Sequence, residues 1–322
     1  MKLTLLINRE NFEAYTNWDD TGWELIHMGR ETPDPAAVIT TNADILVVDA
    51  MMKLGSDIIN NMPRVKLIQT HGVGYNGIDL EAARNADIPV CNCAGSNAIP
   101  VAEHAVLLML AVLKGLRKNE DMVYADKQMI AKTACFENGL PELYGQRVGI
   151  IGYGAIGKAL AKRLKAFDCE VCYYTRSGDH GVEGIKYIPL EELYSSCDIV
   201  SLNTPITPET TNMINNESLK LFKDGAILIN TARGEIMDNK AVADALKSGK
   251  LGGLGTDVLA PEPYLPDNPI LCLPEELRSR IVIAPHIAGL TKGTFYRIHE
   301  LIRSNIEAVI NGQKPQCIVN GL

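Results

Sequence analysis

Features that would point to a membrane, a secretory pathway or a nucleic acid are scarce in this sequence. The longest uninterrupted apolar run, residues 105–113, is well short of the ~18 residues that a membrane-spanning helix needs. The N-terminal apolar stretch is too brief for a signal peptide and lacks a small-residue cleavage site. With 31 basic and 39 acidic residues the net charge is −8, so the chain offers no basic field to a phosphate backbone.

The eight cysteines do not form the framework of a small disulfide-stabilised domain, since they are spread through 322 residues. Cys169 and Cys172 form a C-x-x-C in a strand-like run, where residues three apart point to opposite faces. This favours two packed thiols over a redox pair. Cys91 and Cys93 have no second C-x-C or His-rich segment to complete a tetrahedral metal site. We therefore expect no metal and a reducing cytoplasmic environment.

Short Val/Ile/Leu runs alternate with longer helical patterns, which is typical of βαβ units and a mostly parallel sheet. The length suggests two domains, with a central helix over 100–118, an irregular segment over 124–144 and a last helix over 295–311. A first series of strands is predicted at 3–7, 45–48, 67–69 and 90–92. A second series is predicted at 148–151, 170–174, 199–202, 226–229, 253–257 and 281–284, six strands in all, as a dinucleotide-binding sheet requires.

A glycine loop follows the first strand of the second series. It reads Gly152, Tyr153, Gly154, Ala155, Ile156, Gly157, which is G-x-G-x-x-G between a strand and an amphipathic helix. The first glycine permits a tight turn, the second lets the backbone approach a pyrophosphate, and the third allows close helix packing. The helix N-terminus adds N–H groups and partial positive charge. This arrangement predicts a nicotinamide dinucleotide site.

The next strand ends without the acidic residue that binds the adenosine ribose of NAD. It continues as Thr175, Arg176 and Ser177, and a guanidinium beside two hydroxyls suits a 2′-phosphate. We therefore expect a preference for NADP(H). The alternative is NAD(H), with Arg176 solvated and Asp179 reaching the ribose.

Three residues with catalytic chemistry each follow the carboxyl end of a separate predicted strand. They are Arg233 after 226–229, Glu262 after 253–257 and His286 after 281–284. Open parallel sheets hold their ligands at this edge, so we expect the three side chains to act together.

The chain resembles the D-isomer-specific 2-hydroxyacid dehydrogenase family over nearly its whole length. The matching stretches are HGVGYNGID (71–79), NAIPVAEHAVLLML (97–110), the glycine loop, LKLFKDGAILINTARGEIMD (219–238), GTDVLAPEP (255–263) and APHIAG (284–289). The resemblance implies that Arg233 binds the substrate carboxylate and carbonyl, that His286 is the acid/base and that Glu262 orients it.

The resemblance also implies further site residues. Backbone N–H groups of Val73 and Gly74 would bind the substrate carboxylate. Positions that would contact the cofactor are Val101, Thr204, Pro205, Thr231, Ala232, Arg233, Asp257 and His286. Asp257 is alternatively a turn cap. His104 is interpreted as a packed histidine, and His71 as structural.

The family fold implies a doubly wound Rossmann domain, residues 100–288, inserted in a flavodoxin-like α/β substrate domain formed by 1–99 and 289–322. The two crossing segments would form a hinge. A homodimer joined through the cofactor domain is also implied, with 100–118 and 124–144 as its surface. The predicted function is reduction of a small 2-oxo acid to the D-2-hydroxy acid. Its alternatives are a cofactor-gated, corepressor-like binding protein and a phosphoglycerate-type dehydrogenase; Glu262 argues against formate chemistry.

Overall fold

The computed structural model describes residues 1–16, 18–31 and 34–322 and divides the chain into two compact units. The first comprises Met1–Asn97 and Leu290–Leu322, and the second comprises Ala98–Gly289. The boundaries predicted from the sequence lie after residues 99 and 288 instead. What each unit binds stays a prediction.

The elements follow one another as an alternation of strands and helices. The strands of the first unit are β1 (Lys2–Leu6), β2 (Glu24–His27), β3 (Ile45–Asp49), β4 (Leu67–His71) and β5 (Val90–Cys91). Those of the second unit are β6 (Arg147–Ile151), β7 (Glu170–Tyr174), β8 (Lys186–Tyr187), β9 (Ile199–Leu202), β10 (Ala226–Asn230), β11 (Leu251–Thr256) and β12 (Ile281–Ile283). The α-helices are α1 (Arg9–Tyr15), α2 (Pro35–Thr40), α3 (Ser56–Ile59), α4 (Leu80–Asn85), α5 (Ala98–Leu113), α6 (Leu116–Tyr124), α7 (Gln128–Asn138), α8 (Ala155–Ala166), α9 (Leu190–Ser196), α10 (Asn216–Leu221), α11 (Asn239–Ser248), α12 (Glu275–Arg278) and α13 (Lys292–Ile310).

The sheet of the first unit is parallel throughout and has the order β2-β1-β3-β4-β5. This is the flavodoxin-like strand order. Its strands bury both faces: Leu46 and Val48 belong to one apolar cluster, whereas Ile45 and Val47 belong to the other. Burial on both faces explains why these strands read as continuous apolar runs.

The sheet of the second unit is also parallel, in the order β12-β11-β10-β9-β6-β7-β8. The chain starts at β6, moves outward to β7 and β8, and then crosses back to β9, as in a doubly wound dinucleotide-binding sheet. Helix α5 packs on one face of this sheet beside α8, and Leu108 on α5 is within van der Waals reach of Gly255 on β11. The predicted fold class, a Rossmann domain inserted in a flavodoxin-like α/β domain, is confirmed.

The apolar runs of the sequence predict one strand too few in each sheet, so the prediction of six strands in the second sheet was wrong. Both missed strands lie at an edge. β2 is only partly buried, and β8 has two residues. A short edge strand carries no continuous apolar run, so the pattern that marks the central strands is absent.

The prediction of one helix over 100–118 was wrong. The helix ends at Leu113 and α6 begins at Leu116, because Gly115 adopts a left-handed conformation (φ 54°) between them. The segment 124–144 is not irregular throughout, since it contains α7. The last helix begins at Lys292, earlier than predicted, where the Thr291 side chain caps it by accepting the N–H of Thr294. Among the described residues no single helix is long and apolar enough to span a membrane; α5 and α6 reach that length and hydropathy only as a pair, bent by 61°.

Candidate active site

The carboxyl edge of the second sheet carries a paired histidine and glutamate. His286 follows β12 and Glu262 lies in the turn after β11. The two carboxylate oxygens of Glu262 are 2.7 and 2.8 Å from Nδ1 of His286. Both side chains are partly exposed, at 33% for His286 and 41% for Glu262. A carboxylate on Nδ1 holds the proton there, which leaves Nε2 to exchange a proton with a ligand.

The loop that carries His286 is fastened to the sheet by Asp257. The Asp257 side chain is 1% exposed, and its two oxygens accept the backbone N–H groups of Ile287 (2.9 Å) and Ala288 (2.8 Å). Its backbone carbonyl accepts the N–H of His286 at 2.7 Å. His286 itself adopts a left-handed conformation with φ 59°, which is costly for a residue with a side chain. Asp257 therefore fixes the backbone that aims the imidazole.

The only ring nitrogen near this carboxylate in the described residues belongs to His104 on α5. Its Nε2 lies 3.7 Å from Oδ1 of Asp257 and has no hydrogen-bond partner among the described residues. His104 is thus packed against a buried carboxylate.

Arg233 follows β10 on a backbone segment that Asn230 braces. The Asn230 side chain is fully buried; it donates to the carbonyl of Arg233 (2.9 Å) and accepts the N–H of Ala232 (3.0 Å). A Cβ on Gly234 would stand 2.4 Å from the backbone of Leu259 and Ala260, so only glycine fits here. These contacts bring the arginine segment against the segment that leads to Glu262.

The Arg233 guanidinium is half-buried and donates from Nη1 to the carbonyl of Ala232 at 2.7 Å. That bond occupies one of five N–H donors. The others stay available for a planar anion.

The three glycines of the loop after β6 stand in different surroundings. Gly152 has φ 98°, and a Cβ there would lie 2.4 Å from the carbonyl oxygen of Asn203. A Cβ on Gly157 would lie 2.2 Å from the carbonyl oxygen of Gly152, whereas one on Gly154 would meet nothing within 4 Å. Gly154 is the N-cap residue of α8, and no side chain caps the N-terminus of this helix. The open space at this helix N-terminus fits a pyrophosphate group.

Most of the remaining predicted cofactor residues lie around this sheet edge, with differing exposure. Thr204 and Pro205 follow β9, next to the glycine loop. Ala155 is exposed and Ile156 is half-buried at the start of α8. The Tyr153 ring is buried and stacks on Tyr173 with centroids 4.3 Å apart, so only its backbone can face a ligand. Val101, Thr231 and Ala232 are also buried, and the Thr231 hydroxyl has no partner among the described residues.

The tip of β7 is rich in hydroxyl and basic groups. The Thr175 and Ser177 hydroxyls are 3.2 Å apart, and Ser177 Oγ is 2.6 Å from Nε2 of His180. Arg176 is 83% exposed, and its guanidinium lies 3.8 Å from a carboxylate oxygen of Glu209.

Asp179, the alternative ribose ligand, is occupied by its own turn. It accepts the N–H of Gly181 (2.9 Å) and the hydroxyl of Tyr173 (2.8 Å). These two hydrogen bonds, first Gly181 and then Tyr173, hold the pKa of Asp179 below its usual value.

In the first unit, the loop after β4 holds its carbonyl groups inward. Gly72 accepts from the Thr70 hydroxyl (2.7 Å) and from the Cys93 N–H (2.8 Å), and Val73 accepts from the Asn92 side chain (2.8 Å). In a trans peptide the N–H points opposite to the carbonyl. The N–H groups of Val73 and Gly74 therefore face away from these partners.

His71, at the end of β4, pairs with His299 on α13. Their Nε2 atoms are 2.6 Å apart, so one donates and the other accepts. Burial and the neighbouring His299 lower the pKa of His71 to about 3, and burial also lowers the pKa of His299.

The C-x-x-C cysteines do not pair with each other. Cys169 Sγ lies 3.3 Å from the carbonyl oxygen of Leu143, whereas Cys172 Sγ lies 3.4 Å from the Sγ of Cys197. Both contacts are buried, and the second brings together two thiols that no sequence motif connects. Within the described residues no group of three or more His, Cys, Asp and Glu side chains could hold a metal ion.

Several residues that shape the site escaped the sequence analysis. Asn230 opens the N-x-x-R-G motif, and that position was the signal for its bracing role. His180 and Glu209 carried no signal, because only the folded turn and the loop after β9 bring them to the tip of β7.

The chain is similar to a known protein family. The family model described as "D-isomer specific 2-hydroxyacid dehydrogenase, NAD binding domain" matches residues 106–288. A glyoxylate reductase of Pyrococcus furiosus is 37% identical over 287 residues, which is 87% of this chain and 83% of that protein.

Two solved structures are similar over nearly the full length. A structure of D-2-hydroxyisocaproate dehydrogenase has a TM-score of 0.87 and 26% identity and covers 100% of both chains. An acyclic imino acid reductase in complex with NADPH and D-Arg has a TM-score of 0.80 and 27% identity, covering 99% of this chain and 100% of that one. The chain belongs to the D-isomer-specific 2-hydroxyacid dehydrogenase family.

Proposed function

We propose that this protein reduces a small 2-oxo acid to the D-2-hydroxy acid with NADPH as the hydride donor. The observation that carries the proposal is the His286–Glu262 pair at the sheet edge where Arg233 also stands. The relative named glyoxylate reductase supports a short substrate, and the family description supports the D configuration.

His286 supplies the proton in this reaction. Reduction adds a hydride to the carbonyl carbon while the carbonyl oxygen takes a proton, so a group that can be charged or neutral near neutrality is needed. Glu262 holds Nδ1–H of His286, so Nε2 is the ring nitrogen left to face the substrate. His286 then donates its Nε2 proton to the substrate oxygen, and it takes one back in the oxidation direction.

Arg233 binds and polarises the substrate. Its planar fork matches a carboxylate, and a further N–H can stabilise the charge that develops on the carbonyl oxygen. In the first unit, the N–H groups of Val73 and Gly74 offer two more donors for a carboxylate, as the outward direction of both peptides suggests.

The second unit fits a nicotinamide dinucleotide. When bound, the cofactor supplies the hydride. Open space at Gly154 would admit the pyrophosphate. The buried Thr231 hydroxyl, for which the described residues offer no hydrogen-bond partner, lies next to Ala232 on the segment predicted to line the nicotinamide. The choice of NADPH rests on Arg176, Thr175 and Ser177, and on the engagement of Asp179 within its own turn.

The second unit also carries an apolar surface that suits a second copy of the chain. Side chains on α6, on α7 and in the following segment are exposed, namely Tyr124 (82%), Met129 (64%), Ile130 (62%), Phe136 (89%) and Tyr144 (65%). Light scattering after gel filtration should give a dimer mass, and Phe136→Lys should shift it toward the monomer. The eight free thiols are in keeping with a reducing cytoplasm.

Initial rates with a panel of 2-oxo acids, NADPH and NADH side by side, test the proposal. We expect turnover of glyoxylate or a similar short acid, with a higher kcat/KM for NADPH. Pyruvate should give D-lactate in a stereospecific assay. His286→Ala should remove most turnover and leave NADPH binding, followed by fluorescence titration, nearly intact. Preference for NADH would overturn the cofactor assignment, and absence of turnover would favour a cofactor-gated binding protein.

A further inference from the structure

The turn after β7 is built around a buried tyrosine and presents a histidine to the hydroxyls at the strand tip. Tyr173 is fully buried, and its hydroxyl accepts the backbone N–H of His180 (2.7 Å) while donating to Asp179 (2.8 Å). Gly181 N–H closes the turn on the same Asp179 oxygen (2.9 Å). Three hydrogen bonds thus hold His180 at Ser177, although the imidazole itself is exposed.

We propose that His180 is a second cation of the 2′-phosphate site, acting with Arg176 and through the Ser177 hydroxyl. This inference rests on the proposed use of NADPH and names a residue that determines that preference.

The direction of the Ser177–His180 hydrogen bond decides whether the Ser177 hydroxyl can donate to a phosphate. The two heavy atoms are 2.6 Å apart. A neutral His180 with an unprotonated Nε2 accepts a hydrogen bond from the Ser177 hydroxyl, and this occupies the only side-chain donor of Ser177. A protonated His180 donates Nε2–H to Ser177 Oγ instead, and the hydroxyl proton is then free for a phosphate oxygen. Protonation therefore adds both a positive charge and a hydrogen-bond donor to the tip.

The other charged groups at the tip divide into supporting and opposing ones. Arg176 supplies a permanent positive charge. Glu209 opposes an anion and lies 3.8 Å from Arg176, but exposed pairs of this kind are weak and yield to a stronger partner. Asp179 adjoins His180, yet its oxygen Oδ1 is bound by Tyr173 and Gly181. The buried Tyr173 hydroxyl is held within the same turn, so Arg176 and His180 are the side chains that can offer positive charge to an anion at the tip.

Calorimetric titration with adenosine 2′,5′-bisphosphate and with adenosine 5′-monophosphate tests the proposal without catalysis. The ratio of the two affinities isolates the 2′-phosphate. It is measured at pH 6.0 and 8.0 and at constant ionic strength for the wild type, His180→Gln and Arg176→Gln. His180→Gln also reports how the ionisation of the ligand's own phosphate changes binding, so the difference from wild type isolates the imidazole.

We expect the wild type to bind the 2′,5′-bisphosphate more tightly than the monophosphate. His180→Gln should weaken binding of the bisphosphate by about 5- to 20-fold at pH 6.0 and by about twofold or less at pH 8.0, because the substitution removes a charge-assisted contact only where histidine is charged. Arg176→Gln should weaken binding of the bisphosphate at both pH values. Binding of the monophosphate should change in neither variant. Tyr173→Phe, which removes the anchor of the turn but no charge at the tip, should reproduce part of the His180→Gln loss.

Three results would overturn the inference, and one of them also reaches the proposed cofactor. If the wild type does not distinguish the two nucleotides, the NADPH preference fails and the role of His180 fails with it. If the wild type distinguishes them but His180→Gln keeps the wild-type ratio at both pH values, only the role of His180 fails. Equal weakening of both nucleotides by His180→Gln would show a general loosening of the turn and would also refute it.

Discussion

Replacing Asp257 by asparagine should damage stability and catalysis together. The variant keeps one oxygen for Ile287 or Ala288, but it turns an NH2 group toward the other backbone N–H at a site that is 1% exposed. Losing one hydrogen bond to a charged acceptor and leaving a buried donor unpaired costs about 2–4 kcal/mol. For a unit of ~190 residues this lowers the Tm by roughly 5–15 °C.

The catalytic effect follows from the same contacts. His286 keeps its left-handed backbone because Asp257 accepts the N–H groups of His286 and of the two residues that follow it. A misplacement of about 1 Å at a reacting group costs up to ~100-fold in rate, so we expect kcat to fall by about 10- to 100-fold. Calorimetry of unfolding and steady-state rates with a saturating 2-oxo acid measure the two effects.

Asp238→Asn is the matched control. Asp238 also accepts two backbone N–H groups, those of Lys240 and Ala241, but it caps a helix at a partly exposed position. Asparagine caps a helix about as well as aspartate, so Tm and kcat should stay close to wild type. A wild-type Tm and kcat for Asp257→Asn would refute the fastening role of its carboxylate. An equal loss in both variants would show that its burial is irrelevant.

Three further outcomes are expected. Arg233→Lys keeps the charge but loses the planar fork, so the KM for the 2-oxo acid should rise by at least about tenfold. An unchanged KM would contradict a bidentate contact. Glu209→Gln removes the carboxylate that competes for Arg176, so calorimetry should show adenosine 2′,5′-bisphosphate binding about two- to fivefold tighter, and a weaker complex would count against this pairing. Burial lowers the pKa of both His71 and His299, so below pH ~6.5 the unfolded chain binds more protons than the folded chain. The free energy of unfolding therefore decreases as the pH decreases, by up to about 1.4 kcal/mol per pH unit for each histidine. Urea melts between pH 5.0 and 6.5 should give a smaller change of this free energy with pH for His71→Asn than for the wild type, and an identical change would exclude the pair as its source.

The parts of the site that sequence alone could predict answer local demands. Gly152 and Gly157 are readable because both lie between the end of a strand and the start of a helix, where Gly152 has a positive φ and Gly157 packs against the carbonyl oxygen of Gly152. Arg233, Glu262 and His286 are readable because parallel strands bring their carboxyl ends to one edge. Their roles stay predictions, whereas the fold that carries them is confirmed.

The parts that sequence could not predict depend on long-range partners or on weak patterns. Asp257 binds N–H groups 30 residues further along the chain, and the same residue type after a strand equally suits a turn cap. His180 reaches Ser177 only because Tyr173 anchors the turn from inside the sheet. Gly115 separates α5 from α6 with only Lys114 beside it, and an isolated glycine in a helical pattern is often tolerated.

The discontinuity of the first unit has a consequence for its synthesis. The tail of the chain completes the edge of its sheet: Ile318 bridges to Cys91, and the Asn320 side chain accepts the N–H of Val90 and donates to the carbonyl of Ile88. Buried Gln69 likewise receives its partner Asn305 from α13. At ~5–20 residues per second, translation of the ~190 residues between the two segments takes on the order of 10–40 s. During that interval the nascent N-terminal sheet presents an open edge at β5, so the last strand pairing of this unit waits until residue 318 has been synthesised and has left the ribosome.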